Sequence, residues 1–148
     1  MPKRNLEKFD VSVIQTMHKY GFILLRISLA VVYLWFGALK VINASPVHDL
    51  IVSTYPSFPE PLFITILGVW EIIIGIGLLI KSTLRFTLLL LWLQMGGIFA
   101  GFFISPFLYF SHNLFFLTSN GEFVIKNFVL IAASIVIGGN EISVKNKN

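Results

Sequence analysis

Four continuous apolar runs set the pattern of the chain. They are GFILLRISLAVVYLWFGALKVI (21–42), PLFITILGVWEIIIGIGLLI (61–80), LRFTLLLLWLQMGGIFAGFFI (84–104) and FVIKNFVLIAASIVIGG (123–139). A helix needs about 20 residues, range roughly 17–25, to cross a hydrocarbon core of about 30 Å, and each run meets that length, the fourth only just. Backbone polar groups cannot stay unpaired in lipid, so the runs read as helices and not as open sheet. They do not alternate apolar with polar residues, which rules out a β-barrel reading. The pattern predicts an all-α integral membrane four-helix bundle, a single domain over 1–148.

The connections carry weaker signals. Residues 6–19 place Leu6, Phe9, Val13 and Met17 near one helical face, which fits an N-terminal interfacial helix or a solvated lead-in. This segment mixes acids with bases and no small-residue cleavage site follows the first run, so it does not read as a signal peptide. In NASPVHDLIVSTYPSFPEP, Ser45 is a candidate N-cap with Pro46 at N1, predicting a short helix to about Thr54. Tyr55-Pro56 and Phe58-Pro59 then favour extended or turn geometry. The connection SPFLYFSHNLFFLTSNGE is rich in Phe and Tyr, as expected at a membrane interface. No internal repeat is evident.

Composition strengthens the membrane reading. Hydrophobic residues make up 56% of the chain and charged residues 12%, against about 25% charged in soluble domains. Mean hydropathy is +0.85. There are no cysteines, which excludes disulfide exchange, thiolate nucleophiles, iron–sulfur clusters and thiolate zinc sites. No intrinsic cofactor or metal is expected. The net charge of +4 does not come from a basic patch interleaved with aromatics, so nucleic acid is not an expected partner. Instead Lys3, Arg4, Lys8 and Lys19 precede the first run, Lys81 and Arg85 separate the second and third, and Lys145 and Lys147 follow the fourth. The connections 43–60 and 105–122 hold no Lys or Arg. The positive-inside rule then predicts a bacterial inner-membrane protein with both termini cytoplasmic and those two connections outside.

The polar residues within the runs are few: Arg26, Lys40, Glu71, Gln94 and Lys126. Ionisable groups inside spans usually face the bundle interior and pair with each other. At about 1.5 Å per residue, Arg26 lies roughly 8 Å from the cytoplasmic edge, Glu71 is near mid-membrane, Lys40 is near the outer edge and Lys126 is about 5 Å deep. The helical repeat puts Arg26, Ala30, Tyr33, Gly37 and Lys40 on one stripe of the first helix. Gly68, Glu71 and Gly75 share a face of the second, and Thr87, Gln94, Gly97 and Gly101 share one on the third. Small and polar residues together mark helix contacts in membranes. Two readings follow. The charges form a clasp that fixes helix register, with Lys40 snorkelling outward, or they line a polar pocket in the outer half of the membrane.

Other candidates say less. His18, His48 and His112 map to interfacial or connecting positions, which argues against haem held between facing helices. His48-Asp49 reads as a proton relay or, more simply, as a solvated loop pair. Trp35, Trp70 and Trp92 lie well inside their runs, as packing or ligand-stacking residues.

Three segments carry a family resemblance: LLRISLAVVYLWFGALKV (24–41), LGVWEIIIGIGLLI (67–80) and GEFVIKNFVLIAASIVIG (121–138). With Arg26, Gly37 and Lys40, then Glu71 and Gly75, then Gly121 and Lys126-Asn127, the chain resembles the DoxX-like superfamily of small four-helix bacterial membrane proteins. It is most similar to the branch containing the inner-membrane protein of reactive-chlorine resistance, although that relative has a longer first outer region. The resemblance implies redox or oxidative-stress functions, including those of a small subunit of thiosulfate:quinone oxidoreductase. Other members are membrane partners or assembly factors.

Three functions are thereby open. The first is a membrane subunit in redox or oxidative-stress chemistry, with a quinone or other lipophilic ligand bound among Arg26, Tyr33, Lys40, Glu71, Gln94, Lys126 and Asn127. A membrane-bound or soluble redox partner would then supply the electrons, so the chain is not expected to be an enzyme alone. The second is a non-catalytic scaffold that contacts another membrane protein or a second copy through its glycine face, Gly37, Gly68, Gly75, Gly97 and Gly101. The third is a small transporter or proton path, for which four short helices leave little room.

Overall fold

The structure, a computed structural model, describes residues 2–113 and 115–142, with side chains from Phe9 onward. Lys145 and Lys147, and the side chains of Lys3, Arg4, Leu6 and Lys8, lie outside the described residues. Six α-helices follow in order: α1 (Pro2–Val41), α2 (His48–Thr54), α3 (Leu62–Leu79), α4 (Leu84–Ile104), α5 (Ser119–Ile125) and α6 (Asn127–Glu141). Extended pairing among the described residues is limited to a single bridge between Phe110 and Leu117. Four helical stretches, within Phe9–Val41, Leu62–Leu79, Lys81–Ile104 and Ser119–Glu141, are long and apolar enough to cross a membrane.

The N-terminal segment corrects one expectation. It forms no separate interfacial helix; the helix from Pro2 runs unbroken into the first apolar run. Nothing between Met17 and Gly21 interrupts a helix, and Gly21 costs only about 1 kcal/mol in a helix interior. At 40 residues the helix is about 60 Å long, roughly twice a hydrocarbon core. Its residues 9–20 are exposed throughout.

The upper end of α1 is set by Asn43. This residue has φ 58°, the left-handed region that Asn tolerates better than most non-glycine residues. The Ala44 amide then donates to Leu39 O at 2.8 Å and the Asn43 amide to Lys40 O at 3.1 Å. These two bonds satisfy the last carbonyls of the helix and end it immediately past Lys40. The next helix begins at His48 behind Val47, which makes no side-chain cap. Ser45 is therefore not the N-cap; its carbonyl instead receives the His48 amide in a turn at 3.2 Å. At the other end of the molecule, Thr83 closes α3, its hydroxyl lying 2.9 Å from both Gly77 O and Ile80 O.

The four long elements form a ring in which α1 packs on α3 and α6, and α4 on α3 and α6. The α1–α3 contact is the most extensive. The half of the ring nearer the chain termini is filled with apolar side chains, among them Leu29, Ile74, Leu78, Leu88, Leu91 and Ile137. Outward faces are also apolar: Leu24, Trp35, Phe86, Leu93 and Val129 are all exposed. Trp35 thus points away from the interior, whereas Trp92 donates to the Ser134 hydroxyl at 2.8 Å and Trp70 to Leu90 O at 3.3 Å. Buried polar groups concentrate in the opposite half of the ring.

Candidate functional site

The contact between α1 and α3 begins with glycine. A Cβ on Gly37 would lie 2.6 Å from the Gly68 carbonyl, and one on Gly68 would lie 2.8 Å from the Gly37 carbonyl. The backbones therefore meet directly, and Lys40 Cβ comes over Gly68. Further along α3, Gly75 makes room for the Leu34 side chain, which a Cβ would meet at 2.6 Å. This register places Lys40 one turn from Glu71. The Lys40 Nζ donates to Glu71 Oε1 at 2.8 Å and Oε2 at 2.6 Å. Gln94 Nε2 of α4 donates to Oε1 at 2.7 Å. Lys40 and Glu71 are 7% and 6% exposed, so Lys40 does not snorkel to the outer edge.

The cluster forms the floor of a cavity of about 360 Å³ lined by all four long elements, within the roughly 300–1,000 Å³ typical of ligand sites. Its walls are aromatic and aliphatic, with Tyr33, Phe36, Phe63, Trp70 and Phe123 among them. Its roof is α2 and its N-cap Val47, which with Leu50, Ile51 and Thr54 follows the spacing of a single helical face. Phe58 and Phe63 stack at 4.5 Å beside Tyr55.

Tyr109, from the second connection, completes the roof. The Thr118 hydroxyl donates to Leu108 O at 2.7 Å and accepts from the Gly121 amide at 3.2 Å, capping α5. The Tyr109 carbonyl lies directly on Gly121, where a Cβ would collide with it. Tyr109 is thereby held over the cavity, its hydroxyl 2.8 Å from that of Thr54. Tyr55 reaches the α4 backbone, its hydroxyl donating to Gly97 O. Burial, and secondarily the charge that Tyr109 can carry, push the Tyr55 phenol above its usual pKa.

Three polar atoms in the lining are buried without a partner: Tyr33 Oη, Gln94 Oε1 and Asn127 Nδ2. Tyr33, Gln94 and Asn127 are 4%, 9% and 8% exposed. Buried polar groups are ordinarily paired, and each orphan costs about 1–3 kcal/mol. Three of them on one cavity leave its hydrogen-bonding capacity incomplete.

Of the residues expected to form the polar cluster, Tyr33, Lys40, Glu71, Gln94 and Asn127 meet here; Arg26 and Lys126 do not. Arg26 donates to Glu141 Oε2 at 2.7 Å at the far end of the bundle, where Lys81 also approaches Glu141 at 3.8 Å. Lys126 sits where α5 gives way to α6, its side chain 75% exposed and 3.8 Å from Glu122. With a step of about 100° per residue, Asn127 turns into the cavity while Lys126 turns out of it. Among the glycines, Gly37, Gly68 and Gly75 serve helix contacts, while Gly97 has no neighbour within reach of a Cβ and receives Tyr55 on its carbonyl, and Gly101 accommodates Tyr109. The Gly97–Gly101 spacing is thus taken up by the roof, not by a second helix. His48 Nδ1 lies 3.3 Å from Asp49, and Nε2 lies 2.9 Å from Glu60 across the first connection. Sequence reasoning missed Thr54 and Tyr109: Thr54 shares the helical spacing of Val47, Leu50 and Ile51, but only the fold turns that face to the cavity, and no spacing marks Tyr109.

No family model matches the chain, and neither a curated protein nor a solved structure matches it.

Proposed function

We propose that the chain is a DoxX-like, multi-pass protein of a bacterial inner membrane, with both termini cytoplasmic, that binds a small lipophilic ligand of the quinone class in its roofed cavity. In this reading it is the membrane subunit of a redox or oxidative-stress system, and a partner protein supplies or accepts the electrons. The observation that carries the ligand site is the cavity itself, where an ion pair and three unpartnered polar atoms are set among aromatic walls. Mostly apolar walls with a few convergent polar groups are the usual make-up of a small-molecule site. Membrane insertion is supported by the apolar outward faces of all four long elements. The resemblance to the family supports the redox assignment.

Both parts are testable. The chain has no cysteine, so a single cysteine can be introduced for labelling with an impermeant maleimide. Ser57→Cys should label from outside intact spheroplasts and Ser82→Cys only after lysis; the reverse would overturn the topology. For the site, protein purified in mild detergent should carry a lipophilic compound detectable by mass spectrometry of its solvent extract. Reconstituted in synthetic lipid, it should bind decylbenzoquinone or its reduced form, and Asn127→Leu should weaken that binding about tenfold. A clean extract with no uptake of either form would refute the ligand site.

A further inference from the structure

The unpaired atoms of the cavity say more than that it is polar. Because Gln94 Nε2 donates to Glu71, the amide orientation is fixed and the orphan atom is the carbonyl Oε1, which can only accept. Glu71 Oε1 already receives Lys40 and Gln94, whereas Oε2 receives Lys40 alone and retains room for another donor. Against these acceptors stand two donors, Asn127 Nδ2 and the Tyr33 hydroxyl, the latter able to accept as well.

A ligand that carries only carbonyl oxygens would satisfy Tyr33 and Asn127 but leave Gln94 Oε1 buried and unpaired. We infer that the cavity takes a ring bearing a hydroxyl, a hydroquinone or phenol, in preference to the acceptor-only quinone. The hydroxyl donates to Gln94 Oε1 and accepts from Tyr33 or Asn127. The ring lies among Phe36, Phe63, Trp70 and Phe123, which favour a flat aromatic partner. Water could fill the gap left by a quinone only by being immobilised between ligand and amide, at a cost in affinity. This inference rests on the reading of the cavity as a ligand site and specifies which form it holds.

The test uses the full chain in nanodiscs of synthetic lipid, under anaerobic conditions. Decylbenzoquinone, its two-electron-reduced hydroquinone and dodecanol are compared by equilibrium dialysis, each corrected for uptake by empty discs. The hydroquinone should bind at least about tenfold more tightly than the quinone. In Gln94→Met the preference should collapse through loss of hydroquinone affinity, while Tyr33→Phe should weaken both forms and still fold. Dodecanol has the hydroxyl without the ring and should bind more weakly than the hydroquinone; equal binding would overturn the aromatic assignment. A wild-type protein that binds the quinone as tightly as the hydroquinone overturns the inference and leaves the ligand site standing. Failure of both ring compounds to bind removes the ligand site, and the inference with it.

Discussion

Gly37 and Gly68 meet backbone to backbone, their carbonyl oxygens only 2.8 and 2.6 Å from where the other residue's Cβ would stand. Everything in the cavity depends on that approach, because it brings Lys40 on α1 alongside Glu71 on α3. Gly37→Ala should force the helices apart and destabilise the protein by roughly 1–3 kcal/mol, the usual cost of overpacking. The measurement is thermal unfolding in detergent. Gly96→Ala, on a face with nothing within reach of a Cβ, is the control and should leave the midpoint unchanged or slightly raised.

The ion pair itself separates a clasp from a site. Removing one partner of a buried pair typically costs roughly 3–5 kcal/mol, whereas replacing both by apolar residues is often neutral. Lys40→Met and Glu71→Leu should each destabilise strongly, and the double variant should recover most of the loss. If the charges serve ligand binding, the recovered double variant will be stable and empty. A stable double variant that still binds would assign the pair to helix register alone.

At the far end of the bundle, Arg26 and Glu141 join α1 to α6. Glu141→Gln should cost about 1.5–3 kcal/mol, the range for a hydrogen bond to a charged group. Ligand affinity should not change, since the cavity lies in the opposite half. A shift in affinity would show that the two ends are coupled.

The roof should respond to alkali. Burial raises the Tyr55 pKa above its unfolded value, so the stability it lends is fully present below about pH 10 and is lost as pH rises through the raised value. The hydroxyl that donates to Gly97 O must also keep its proton. Tyr55→Phe should therefore be less stable near neutrality and show a flatter decline in melting temperature from pH 9 to 11. An unchanged decline would place the alkaline sensitivity elsewhere.

The helix faces could be read from sequence because helical spacing is strict. Ala30, Tyr33, Gly37 and Lys40 are all buried, as are Gly68, Glu71 and Gly75. Spacing does not give the partner of a charge. Arg26 finds Glu141, a residue beyond the end of the fourth apolar run, because the helix continues past that run. Lys126 stands beside Asn127 in the chain, yet it falls where α5 gives way to α6, and only Asn127 turns into the cavity. Asn43, which sets where α1 stops, looks like any polar loop residue until its left-handed backbone is seen. Thr54 and Tyr109 are 55 residues apart, and only the folded connections bring them together.

The two halves of the ring differ in one further respect. The terminus-side half is packed with Leu, Ile and Met and closed beneath by Arg26, Glu141 and Lys81. The cavity is therefore a blind chamber with no exit through its floor. Under the proposed function, such a chamber holds a molecule at one end of the bundle and presents it to a neighbour.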